Sequence, residues 1–332
     1  MIAASAFRPA WWLPGPHLQT LYPSLVRRRS HPELTRERLE LPDGDFLDLD
    51  WTRNDGTALV LVLHGLGGSL ESPYTGGILQ ALAAHGYRAV LMYFRGCSGE
   101  PNRLARSYHS GETADLRFVI AHLAGRIAPK PLAVIGYSLG GNVLLKALGE
   151  HAGMGPVRTG VAVSVPFDLD RAARRLEQGF SRIYQRYLLD RLRRSYRAKA
   201  SAHTMPVSLA RLATLDTFRK FDNEVTAPLH GFRDVDEYYE RSSSRQYLHA
   251  ITTPTLILHA ADDPFIPEEA IPGESELGPG VTLELSRRGG HVGFVGGTLP
   301  FRSCYWLEGR ICAHLHEHLN SKGIRIYGSA DP

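Results

Sequence analysis

Residues 131–148 read PLAVIGYSLGGNVLLKAL. A short apolar run enters a Gly-Tyr-Ser-Leu-Gly turn, and a stretch with helical apolar spacing leaves it. An apolar run of that length bounded by glycine reads as a buried strand, and the stretch after it as an amphipathic helix. A Gly-x-Ser-x-Gly pattern alone arises by chance; between a strand and a helix it reads as a nucleophile elbow. The serine of such an elbow sits in a strained turn with no room for side chains beside it, which calls for the flanking glycines. The sharp turn lifts a hydroxyl out of the sheet, so Ser138 is the candidate nucleophile.

Outward from this stretch the same rhythm holds. Residues 36–41 and 46–52 read as a hairpin around Pro42-Asp43-Gly44-Asp45. Apolar strands are expected at 58–63, 87–93, 131–136 and 159–165, with helices at 73–85, 111–123 and 139–150. Continuously apolar strands alternating with helices predict an α/β fold with a mostly parallel central sheet flanked by helices on both faces. The rhythm stops over 167–250, where apolar residues recur at helical spacing, as in Phe180, Ile183, Tyr184, Tyr187 and Leu188. That segment is too long for a plain loop and predicts a helical cap insertion over the carboxyl end of the sheet. Strands resume at 254–259 and 281–285, and a last helix is expected over 303–319. The expected organisation is an aromatic, proline-rich extension over 1–35 packing on the body, a core over 36–166 and 251–325, and the cap over 167–250. Trp11 and Trp12 of the extension are expected to pack on the body, with pocket lining as the alternative.

The chain has 332 residues, 43% hydrophobic and 22% charged, which excludes a mostly disordered protein. Its net charge of +4 is too small to argue for nucleic acid. Three cysteines are too few for a disulfide framework or a cysteine zinc site, and they point to a reducing, cytoplasmic setting. No signal peptide is expected at the mildly apolar N-terminus, and no apolar run reaches the roughly 18 residues of a membrane span. No glycine-rich nucleotide loop follows a strand, so no nucleotide cofactor is expected. His314, His316 and His318 lack a His-Glu-x-x-His frame; they read as a solvated helix face, and no metal is expected. Between Arg171 and Lys220 there are 13 Lys and Arg against 3 Asp and Glu. This basic stretch suits an anionic substrate or peripheral contact with an anionic membrane surface, or else a solvated face whose arginine stems cover apolar surface. The oligomeric state has no signature in the sequence.

A serine hydroxyl needs a base. After an elbow of this kind the acid and then the histidine follow in chain order. The strand at 254–259 runs into Asp262 and Asp263, and the strand at 281–285 into Gly290-His291-Val292-Gly293-Phe294. His291 is the candidate base. Asp263 is the candidate acid, with Asp262 beside it as the alternative. Candidate oxyanion donors are the backbone N–H groups of Leu139, just after the serine, and of Leu66 in the His64-Gly65-Leu66-Gly67-Gly68 loop. His64 reads as a structural hydrogen-bonder.

Several blocks resemble the YheT-like branch of the α/β-hydrolase superfamily. They are Trp12-Leu13-Pro14 with His17-Leu18-Gln19-Thr20, His64 to Ser69, Phe94-Arg95-Gly96-Cys97-Ser98-Gly99, Tyr108-His109-Ser110-Gly111-Glu112-Thr113, the elbow through Asn142, and Gly290 to Phe294. The resemblance implies a serine esterase with a Ser138–Asp263–His291 triad. The Asp-x-x-x-Pro spacing that Asp263 opens recurs in that superfamily. The expected activity is hydrolysis of short- to medium-chain acyl esters or small lipids through an acyl-enzyme, with a small-molecule ester as partner and no cofactor. Acyl transfer to an alcohol is the rival within the class. A non-catalytic lipid- or membrane-binding protein is the rival outside it.

Overall fold

The computed structural model describes residues 1–319 apart from Arg29, Pro129, Ala152, Gly153 and Phe301. Residues 320–325 of the expected core lie outside the described residues. The strands of the main sheet, in chain order, are β1 (Ile2–Ala4), β2 (Leu34–Glu40), β3 (Phe46–Thr52), β4 (Leu59–Leu63), β5 (Arg88–Met92), β6 (Leu132–Tyr137), β7 (Val157–Val163), β8 (Thr255–Ala260) and β9 (Val281–Ser286). They form one sheet in the order β1-β9-β8-β7-β6-β4-β5-β3-β2. From β1 to β5 every neighbouring pair is parallel; β3 and β2 add an antiparallel edge. The proline-rich beginning of the chain thus contributes an edge strand to the sheet, because Ile2–Ala4 pairs with Leu283–Leu285. Three residues carry too little periodicity for sequence reading to register them as a strand.

The continuous apolar strands are explained by cover on both faces. Leu59, Leu61 and Leu63 of β4 point into one layer with Leu116 and Val119 of α3 (Thr113–Ile127) and Val143 of α4 (Leu139–Glu150). Val60 and Val62 point into the other, with Ile78 and Leu82 of α2 (Thr75–Ala84) and Ile311 and Leu315 of the C-terminal helix (Trp306–Leu319). The side-chain period of two divides one apolar run between two cores.

The chain passes from β4 outward to β5, then back to β6 on the other side of β4. This reversal opens a crevice at the carboxyl ends of β4 and β6, the place where open α/β sheets bind ligands. The loop after β4 carries Leu66 and the turn after β6 carries Ser138.

Between β7 and β8 the described chain is helical. It forms α5 (Leu169–Leu176), α6 (Ser181–Lys199), α7 (Leu209–Thr214), α8 (Phe218–Phe221), a π-helical turn (Asp222–Thr226), α9 (Ala227–Leu229) and α10 (Val235–Ser242). Asp168, Ser208, Thr217 and Asp234 cap α5, α7, α8 and α10 through their side chains. These helices hold their own apolar cluster, including Leu189, Leu212, Phe221 and Tyr238, against which Leu21, Leu66 and Phe265 pack from outside the segment.

Helix α1 (Pro16–Val26) starts with proline at its first position and carries Pro23 inside. Pro23 has no N–H to give to the carbonyl of Gln19, four residues back.

Candidate active site

Ser138 sits between β6 and α4 with φ 51° and ψ −116°, a conformation that costs a non-glycine residue about 1–3 kcal/mol. Its backbone N–H is held by the Val163 carbonyl at 2.8 Å. The neighbouring glycines are steric requirements. A Cβ on Gly136 would lie 2.4 Å from the Gly140 carbonyl oxygen, and one on Gly140 would lie 2.6 Å from that of His64.

The Ser138 hydroxyl lies 3.0 Å from His291 Nε2, and His291 Nδ1 lies 2.8 Å from Asp263 Oδ2. A proton on Nδ1, donated to the carboxylate, leaves Nε2 free to accept from serine. Asp263 Oδ1 also accepts the Phe265 N–H at 2.8 Å, and the Phe265 ring stacks on the imidazole at 4.0 Å. Asp262 accepts the Gly290 N–H at 3.0 Å, so it braces the histidine loop while Asp263 meets the ring. Burial pushes the Asp262 carboxyl up.

The loop after β4 is arranged around one N–H. Gly65 N–H donates to the Tyr74 hydroxyl at 2.8 Å, Gly67 N–H to the Tyr108 hydroxyl at 2.6 Å, and Gly68 N–H to the Gly65 carbonyl at 2.9 Å. Leu66 N–H, between them, makes no hydrogen bond among the described residues. Leu139 is the first residue of α4, whose N–H has no carbonyl one turn back to meet. Arg191 of α6 donates to the Gly67 carbonyl and so ties the helical segment to this loop. His64 is fully buried; its Nδ1 donates to the Gly65 carbonyl at 2.7 Å and its Nε2 accepts the Phe94 N–H at 3.2 Å. Burial holds its pKa down at about 4, so it is a neutral hydrogen-bonder.

Helix α1, whose local sequence announces no part in the site, holds the histidine loop. Thr20 Oγ1 donates to the Pro16 carbonyl at 2.7 Å and accepts the His291 N–H at 2.9 Å. The buried Gln19 amide bridges both backbone groups of Val295, accepting its N–H at 2.8 Å and donating to its carbonyl at 3.0 Å. The Gln19 carbonyl freed by Pro23 is where Gly293 packs, and a Cβ there would lie 2.3 Å from it. Val292 and Phe294 both have positive φ, and Ser164 Oγ accepts the Val292 N–H at 3.0 Å. The signal in the sequence is the His17-Leu18-Gln19-Thr20 block, whose local pattern does not say which loop it meets.

A cavity of about 460 Å³ opens on Ser138 and His291. It is lined by Leu21, Pro23 and Ser24 of α1 and by Leu169, Leu176, Ile183 and Tyr187 of the helical segment. Trp11 and Trp12 do not line it. Trp11 is 72% exposed with its indole N–H on the Thr298 carbonyl, and Trp12 packs edge-on against Tyr22. The solvated helix face expected for the C-terminal histidines is corrected at His314, which is buried and bonded to Thr159 Oγ1 at 2.8 Å. His314 and His318 do lie with Glu317 in a possible ligand cluster, and His109, Glu112 and His230 form another. In the second, Arg106 already pairs with Glu112 at 3.2 Å.

Parallel-sheet architecture, a strained serine at the switch point and a hydrogen-bonded Ser–His–Asp line together define a hydrolase of the α/β class. The family model described as "alpha/beta hydrolase fold" matches residues 58–298, and the chain belongs to that family. It is 44% identical over 326 residues to an Escherichia coli protein named "Putative esterase YheT", covering 96% of each chain. It is 28% identical to phospholipase ABHD3 of Mus musculus, covering 92% of this chain and 77% of the relative. A Pyrococcus furiosus esterase, Pf2001, shares the fold with a TM-score of 0.56 at 17% identity, over 86% of this chain and 93% of that one. The chain is an esterase- or lipase-type hydrolase acting on ester bonds.

Proposed function

We propose that this protein hydrolyses short- to medium-chain acyl esters or small lipids through an acyl-enzyme on Ser138. The hydrogen-bonded line from Ser138 through His291 to Asp263 carries this reading. Ser138 Oγ attacks the ester carbonyl as His291 Nε2 takes its proton, and Asp263 supports the imidazolium. The negative oxygen of the tetrahedral intermediate is received by the N–H groups of Leu66 and Leu139. His291 returns the proton to the leaving alcohol; water then attacks the acyl-enzyme by the same route in reverse. The groups in this scheme are the chain's own side chains and amides. A mainly apolar cavity of about 460 Å³ favours an acyl chain of modest length. The three unpaired cysteines support a cytoplasmic setting, and no described helix is long and apolar enough to cross a membrane.

The test is a chain-length series of p-nitrophenyl esters on wild type and Ser138→Ala. Turnover should peak at short to medium chains and vanish in the variant. Turnover surviving the substitution would remove the mechanism.

Peripheral contact with an anionic lipid surface is a second part of the proposal. The helices that line the cavity also expose Leu18 and Leu25 on α1, and Ile183 and Tyr187 on α6. Phe180, just before α6, is exposed as well. Arg182 and Arg186 stand among them and make no ion pair among the described residues. Apolar side chains with interspersed arginines suit the interface of an anionic bilayer. Sedimentation with vesicles should carry the protein down when they contain phosphatidylglycerol and not when they are zwitterionic; equal behaviour removes this part.

A further inference from the structure

Asp222 takes no part in the proton path from Ser138, yet it is a wall residue of the same cavity. Leu169, Ala172, Leu176 and Phe218, which line the same cavity from the helical segment, are apolar. It opens the π-helical turn between α8 and α9, and such single wide turns inside helices recur at functional sites. Only 8% of the residue is exposed.

Its carboxylate accepts two hydrogen bonds. Thr226 Oγ1 donates to Oδ1 at 2.6 Å, and the Tyr239 hydroxyl donates to Oδ2 at 2.8 Å. A carboxylate offers about four lone-pair positions, so two neutral donors leave it half satisfied. Among the described residues it forms no ion pair. Arg219, three residues earlier, gives its guanidinium to Asp170 and Asp236 instead. Burial pushes the Asp222 carboxyl up to about 6. A buried charge without a counter-ion is costly. Two hydroxyls could have been bridged by an uncharged amide if anchoring α8 to α10 were the only task.

We infer that Asp222 is a recognition residue for the part of the ester lying under the helical segment, and that favoured substrates carry a cationic amine there. The inference rests on the ester-hydrolase reading above and adds a substrate class to it. An ammonium group would take the free lone pairs of the carboxylate and supply the missing charge, while the apolar wall receives the methylenes leading to it.

The test compares paired esters of equal length. A p-nitrophenyl ester of an aminohexanoyl chain is set against its heptanoyl counterpart for the acyl side, and aminohexyl acetate against heptyl acetate for the alcohol side. In one of the two pairs wild type should prefer the ammonium ester by about tenfold or more in kcat/KM, and Asp222→Asn should abolish that preference. A preference in neither pair, or one that survives Asp222→Asn, overturns the inference. Calorimetry with hexylammonium chloride reads the same site without turnover. Ser138→Ala should bind the ion at least about tenfold more tightly than Ser138→Ala combined with Asp222→Asn, and equal binding overturns the inference. If wild type turns over none of the esters while hexylammonium binding depends on Asp222, the hydrolase reading fails and the recognition site stands.

Discussion

Thr20 Oγ1 accepts the backbone N–H of His291 at 2.9 Å, across 271 positions of the chain. The loop that bears His291 has two non-glycine residues at positive φ, Val292 and Phe294. Such a loop keeps its shape only if its surroundings over-determine it. Thr20 and Gln19 supply that determination from α1, together with Asp262 and Ser164 from the ends of β8 and β7.

Thr20→Val keeps the shape of the side chain and strands the His291 N–H, a loss of about 1–3 kcal/mol. The expected result is a fall in kcat of about tenfold with KM within about twofold, because the imidazole is misplaced while the isosteric valine keeps the shape of the cavity wall that Thr20 contributes to. Thr20→Ser should restore most of the activity. Steady-state kinetics on the three proteins checks this, and a loss in KM alone would assign Thr20 to substrate binding.

Gly293→Ala drives a methyl group to 2.3 Å from the Gln19 carbonyl oxygen, which forces α1 and the histidine loop apart. Overpacking of this kind costs about 1–3 kcal/mol. Gly309 in the C-terminal helix faces open space, so Gly309→Ala should gain about 0.5–1 kcal/mol from helix propensity. Urea denaturation of both variants should give shifts of opposite sign.

Asp263→Asn removes the acceptor that fixes the His291 tautomer and should lower kcat by about three to four orders of magnitude. Asp262→Asn keeps an oxygen able to accept the Gly290 N–H, and its effect should stay within about tenfold. Equal losses in the two variants would contradict the division between bracing the loop and supporting the ring.

Acid should weaken the fold before it protonates most carboxylates. Burial holds His64 and His259 down at about 4, and His230 and His314 at about 3. In the unfolded chain each takes a proton near the ordinary value of about 6.5. Between these limits the unfolded state binds more protons, so stability is full above about pH 6.5 and falls as the pH drops toward 4. His64 alone accounts for about 3 kcal/mol of that change. Urea midpoints measured from about pH 7.5 to about pH 5 should decline steadily; a flat profile would contradict neutral burial of these rings.

The fold was legible because its signals are local. One run such as Leu59–Leu63 shows by its unbroken apolarity that it is covered on both faces, and a glycine-flanked serine between strand and helix announces its own geometry. Ser138, His291 and the Asp262-Asp263 pair could be picked out as candidates because each follows a strand that ends on the same rim. Illegible were the features that depend on long-range meeting. The edge strand Ile2–Ala4 is recognisable only beside its partner, Leu283–Leu285. Gln19 and Thr20 look like ordinary helix residues until the histidine loop is placed against them. The choice between Asp262 and Asp263 turns on a side-chain direction that adjacent positions do not encode. The basic count of the helical segment also concealed its pairing. Arg174, Arg193, Arg211 and Arg219 are held by carboxylates, and Arg182 and Arg186 have none among the described residues.

The proposed mechanism requires Ser138 to be an activated nucleophile. A fluorophosphonate probe reports on this, since an activated serine oxygen displaces fluoride and keeps the phosphonyl group. Mass spectrometry of the labelled wild-type protein should find one phosphonyl group, on the peptide that carries Ser138, and none after Ser138→Ala. Unlabelled wild type, or a label on another residue that persists in Ser138→Ala, would contradict the account.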